Sequence, residues 1–141
     1  MANLVLYSNF RLRQHNGNAI NLASAPIKVA LLTAAYVPDV AVDQLFASVS
    51  SGKEVSGGAY SAGGQTIAGS AVALDGATPE WTHDDVVWSQ HASGFATARY
   101  AVWHDSGSGR LIGYLDLTSN RGNVNGPLTL DVTAATGIAS F

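Results

Sequence analysis

From Gln65 to Phe141 the chain is a succession of short β-patterned runs broken by turn residues, and this constrains its fold more than any other feature. Leu128, Leu130 and Val132 alternate with Thr129, Asp131 and Thr133, the cleanest period-two pattern present. Thr97 to Trp103 alternates as well, with Ala98, Tyr100 and Val102 on one side and Arg99, Ala101 and Trp103 on the other. Gln65 to Leu74, Trp81 to Trp88, Leu111 to Leu117 and Gly137 to Phe141 supply further strands. Asp75-Gly76, the run from His104 to Gly109 and the polar stretch Thr118 to Gly126 separate them. Upstream, Ile27 to Thr33 is a nearly continuous apolar run that fits a strand buried on both faces.

Only one segment has helical spacing. Val42, Leu45, Phe46 and Val49 recur after a capping Asp39, which predicts one short helix over Val40 to Ser50. The pattern predicts a mainly β domain, a β-sandwich or an open barrel-like fold with one short helix. Residues 1–18 read as an extended N-terminal arm that ends at the Asn16-Gly17 turn signal, and 19–141 as a single β-rich domain.

Composition narrows the partners. Charged residues make up only 12% of the 141 residues, against roughly 25% in an average domain, which suggests a surface partly covered by another chain. The net charge is −3, and Arg11 and Arg13 form the only close basic pair, which argues against nucleic acid. No apolar stretch approaches the ~20 residues of a membrane span, so no membrane partner is expected. Met1 to Ser8 is too short for a secretion signal, and its arginines follow the apolar run. The chain has no cysteine, which excludes disulfides and thiolate metal sites.

Glu54 to Gln65 places Tyr60 between the pairs Gly57-Gly58 and Gly63-Gly64. A phosphate-cradling loop would need a lysine after its last glycine at the mouth of a helix. Here Gln65-Thr66-Ile67 follows, and the order is helix to strand. Gly57, Gly58, Tyr60, Gly63 and Gly64 therefore read as a structural corner with Tyr60 packed over it. His83 and Asp85 share a strand face but form only a fragment of a metal site. Ser106-Gly107-Ser108-Gly109 is no nucleophile elbow, and the carboxylates Asp84, Asp85, Asp105, Asp116 and Asp131 have no spacing that pairs them. No cofactor and no catalysis are expected. The tryptophans and tyrosines on strands suit a core, or else a sugar-binding platform if one face exposes them.

Ile27 to Thr33 with Tyr36-Val37-Pro38-Asp39 resembles the opening of a family of small tailed-bacteriophage virion proteins. Glu54 to Gly64 resembles its central signature, and Asp85 to Trp88, Ala98 to Val102 and Leu111 to Asp116 resemble its later strands. Ala59 and Leu117-Thr118 depart from the family's pattern. The resemblance implies a head decoration (cement) protein that stabilises the capsid as an oligomer. The expected partners are then the major capsid protein and other copies of the chain, as a dimer or trimer. The expected location is the capsid surface of the virion, after synthesis in the host cytoplasm. The alternative is a tail or fibre component that binds a host glycan. Leu4, Leu6, Phe10, Arg11 and Arg13 are the expected contact residues, with Leu4, Leu6 and Phe10 adding a strand to a neighbour's edge. On that view, deleting Met1 to Arg13 leaves a folded domain.

Overall fold

The structure is a computed structural model that describes residues 4–132 and 139–140. It is mainly β, with strands β1 (Val5–Leu6), β2 (Ile27–Leu32), β3 (Gln65–Thr66), β4 (Ala71–Asp75), β5 (Thr78–Thr82), β6 (Val86–Trp88), β7 (Ala98–Asp105), β8 (Leu111–Arg121), β9 (Leu128–Leu130) and β10 (Ala139–Ser140). Two short helices accompany them, α1 (Ser8–His15) and α2 (Phe46–Ser50). The main sheet is antiparallel, in the order β1-β8-β7-β2-β3. A three-stranded sheet, β10-β5-β4, and a two-stranded sheet, β6-β9, share one hydrophobic core with it.

The apolar run at Ile27 forms an interior strand of the main sheet, between β7 and β3, and both of its faces are covered. On one face Trp103, opposite Val29, donates its indole N–H to His83 Nε2 at 2.9 Å. On the other face Tyr114, Tyr100 and His104 meet Tyr7, Tyr36 and Phe46. Two-sided burial explains why β2 lacks the polar alternation of an exposed strand.

The first eighteen residues are not an extended arm. Val5 and Leu6 pair with Tyr114 and Gly113 of β8, and the chain then turns into α1. Leu4, Tyr7 and Phe10 recur every three residues and are buried in the common core. Folding this segment back removes three large apolar side chains from water, at roughly 1.5–3 kcal/mol for each one fully buried, which an isolated arm would forgo.

The second helix is shorter than its spacing predicts. Asp39 does cap a turn, its carboxylate accepting Ala41 N–H at 3.1 Å. The helix itself begins only at Phe46, because Leu45 makes a bridge to Arg110. Val42 and Leu45 stay exposed, and only Val49 of the four apolar positions is fully buried. The strand expected over Gly137 to Phe141 lies mostly outside the described residues; Ala139 and Ser140 pair with Trp81 and Glu80.

Candidate interaction surface

Of the five expected contact residues, Leu6, Phe10 and Arg11 border one groove, and Leu4 and Arg13 do not. Leu4 and Phe10 point into their own core, Leu6 is half-buried, Arg13 is partly covered, and Arg11 is exposed. The strand addition foreseen for a neighbour is made within the chain, on β8. Leu12, 59% exposed on α1, is a surface residue that the sequence pattern did not single out.

Beside α1 lies a groove. Gln14 fastens the segment after the helix, accepting Ile20 N–H at 2.7 Å and donating to Ile20 O at 3.2 Å. This holds Ile20 and Leu22 across from Leu6 and Phe10, with Val72 of β4 closing one side around a cavity of about 440 Å³. Its rim carries Arg11 and His15. Among the described residues neither makes a side-chain hydrogen bond or an ion pair, and the one ion pair, Arg99 to Asp116 at 2.8 Å, lies elsewhere. Aliphatic residues stand out on the surface: Val37 at 78%, Leu74 at 69% and Val42 at 66%.

The glycine-bracketed tyrosine forms a closed hydrogen-bonded unit. Tyr60 Oη donates to Glu54 Oε1 at 2.5 Å and accepts Leu31 N–H at 3.1 Å. Gly63 N–H donates to the same Glu54 oxygen at 2.6 Å, and Gly63 O meets His104 Nε2 at 2.9 Å. Burial and the neighbouring Glu54 push the Tyr60 hydroxyl far above its ordinary value. Gly64, at φ 87, lies so close to β2 that a Cβ would fall on the Val29 carbonyl. Gly57, at φ 151, would carry its Cβ into the Gly94 carbonyl group. Gly58 donates to Ser93 O at 2.8 Å. The Tyr60 ring meets Phe95 edge-on at 5.7 Å and Trp88 at 6.4 Å. These residues tie the end of α2 to the sheet.

Asn123, fully buried, is the hub that sequence reasoning missed. Its Oδ1 accepts Phe95 N–H at 2.9 Å, and its Nδ2 donates to Gly58 O at 3.0 Å and Ser89 O at 2.8 Å. One side chain thereby fastens three loops. A single asparagine in a polar stretch gives no periodic signal, so nothing in the pattern marks it.

His83, Asp85 and Asp105 are occupied, whereas Trp88 Nε1 and His104 Nδ1 are buried without a hydrogen-bond partner among the described residues. Because Trp103 donates to His83 Nε2, His83 holds its proton on Nδ1 and donates it to Asp84 O at 2.7 Å. Both nitrogens are therefore spent, and desolvation lowers its pKa. Asp85 accepts Val132 N–H at 2.8 Å. Asp105 closes its hairpin turn by accepting Gly107 N–H at 3.0 Å and the Ser108 hydroxyl at 2.7 Å. Among the described residues no group of three His, Cys, Asp or Glu side chains is placed to hold a metal, and no helix is long and apolar enough to cross a membrane. Among the described residues no Trp, Tyr or Phe is exposed, and Trp81, Trp88 and Trp103 are all at 0%. Compared with known protein families, curated proteins and solved structures, the chain matches none of them.

Proposed function

We propose that the chain is a structural virion protein of a tailed bacteriophage that decorates and stabilises the capsid, and that it acts by contact and not by chemistry. The carrying observation is the division of its apolar side chains. Among the described residues every Trp, Tyr and Phe side chain is buried or half-buried, while Val37, Val42, Leu12 and Leu74 stand out of the surface. Exposed aliphatic side chains on a sparsely charged domain suit burial against another protein. The interior polar groups His83, Asn123, Glu54 and Asp105 are spent on holding loops in place.

A protein that binds only the assembled lattice stabilises it by mass action, about 2.7 kcal/mol per site at a hundredfold excess over Kd. Repeated over a shell, that resists the pressure of packaged DNA. The partners are the major capsid protein and further copies of this chain. The tail-fibre alternative needs aromatic side chains presented to a sugar, and the burial of all three tryptophans weighs against it.

The test is titration of purified protein onto DNA-filled heads that lack it. Saturable binding that raises the temperature at which heads release DNA supports the proposal. Binding to a glycan array with none to heads contradicts it.

A further inference from the structure

We propose that two copies of the chain pair edge to edge through β4, each placing Leu74 over the groove beside the other's α1. The proposal rests on the self-association in the functional reading above and names its surface. β4 is the outer strand of the β10-β5-β4 sheet, and all five of its residues, Ala71 to Asp75, are exposed. Among the described residues its outward N–H and C=O groups have no partner. The strand lacks the lysines, prolines and bulges that usually blunt such an edge.

The side chains select the register. Val72 lines the groove, and Leu74, two residues on, shares that face while standing 69% exposed. An antiparallel pairing centred on Ala73 sets Leu74 of one copy opposite Val72 of the other, with Cβ atoms about 4.5–5.5 Å apart. Leu74 then lies at the mouth of its partner's cavity. Ala73 meets Ala73, and Asp75 meets Ala71, so no like charges face each other. A slip of one residue would turn Leu74 to the opposite face.

Charge agrees with this arrangement. The ribbon from Ala71 to Thr82 carries Asp75 and Glu80 and no basic residue, whereas α1 carries Arg11, Arg13 and His15 and no acidic one. Asp75 and Glu80, the latter opposite Ala73, stand on the face away from Val72 and Leu74, so Leu74 brings no carboxylate with it into its partner's groove. Every contact is made twice about a two-fold axis, as a closed isologous dimer requires, and the two three-stranded sheets become one continuous sheet.

The chain has no cysteine, so a single introduced thiol reports the register. Residues facing each other in an antiparallel pair have Cα atoms about 4.5–5.5 Å apart, inside the span of a disulfide. Under mild oxidation Ala73→Cys is expected to form a disulfide dimer, while Ala77→Cys in the adjacent turn stays monomeric. Leu74→Asp, at an exposed position, is expected to keep the wild-type circular dichroism and sediment as a monomer. The proposal is overturned if the wild type sediments as a monomer. It is equally overturned if it forms an oligomer in which Ala73→Cys cross-links no better than Ala77→Cys. Head binding by a chain that proves monomeric would overturn this interface and leave the decoration reading standing. A β4-linked dimer that ignores heads would do the reverse.

Discussion

The Tyr7 hydroxyl lies 2.6 Å from the Tyr36 hydroxyl, inside the core. Tyr36 donates its hydroxyl hydrogen to Asp43 Oδ2 at 2.7 Å, so Tyr7 is the donor to Tyr36. The opening segment is thus bolted from within to the loop that follows β2. Deleting Met1 to Arg13 removes Tyr7 and Phe10, and the truncated chain is expected to unfold or to lose most of its cooperativity. Tyr7→Phe should cost about 1 kcal/mol, the net value of one hydrogen bond. Tyr7→Ala should cost about 3–5 kcal/mol, as other aromatic truncations do. Urea denaturation measures all three, and a truncated chain with a wild-type midpoint would show that the segment is dispensable.

Alkaline pH should loosen the same core. Burial is the leading cause that raises Tyr7, Tyr36 and Tyr60 above the usual tyrosine value of 10.0. Their protonated forms are favoured in the fold, so this stability is fully present below pH ~10 and is lost as pH rises beyond it. Each tyrosine that ionises only in the unfolded chain adds about 1.4 kcal/mol of loss per pH unit. Denaturation midpoints should be flat up to pH ~9.5 and then fall steeply. Absorbance titration of native protein should show tyrosines that ionise only on unfolding; five freely titrating tyrosines would contradict this.

Acid acts through the histidines. His83 and His104 are both buried, and desolvation lowers both from 6.5. Their neutral forms are favoured in the fold, so stability is present above the ordinary histidine value and is lost as pH falls below it. His104 stacks on Phe46 with ring centroids 3.9 Å apart. His104→Phe keeps an aromatic ring there but cannot take up a proton, so the slope of stability between pH ~6.5 and ~5 should be roughly halved. An unchanged slope would show that His104 does not contribute to it.

Asn123→Ala is expected to cost about 3 kcal/mol, because Phe95 N–H, Gly58 O and Ser89 O each lose a buried partner. Asn120→Ala, at an exposed position, should change stability by less than about 0.5 kcal/mol. Equal effects in thermal denaturation would remove Asn123 from its role as hub.

The strands were legible where one residue's neighbours decide its environment. Ile27 to Leu32 and Ala98 to Asp105 announce themselves by apolar density and alternation. The opening segment did not, because its spacing Leu4, Tyr7, Phe10 is brief and an Asn-Gly turn follows it. The pattern over Val40 to Ser50 predicts too long a helix for the opposite reason: Val42 and Leu45 have helical spacing yet point to solvent. Tyr60 stands out because glycines flank it, whereas the hub Asn123 is a single polar residue whose partners Gly58, Ser89 and Phe95 are distant in sequence. The groove beside α1 joins residues 6–22 to Val72, a juxtaposition that no local pattern encodes.

The number of copies per particle tests the account most directly. Quantitative mass spectrometry of purified DNA-filled heads and of separated tails should find the chain in the heads, at on the order of hundreds of copies and in fixed ratio to the repeated capsid subunit. A handful of copies confined to tails, with none on heads, would contradict it.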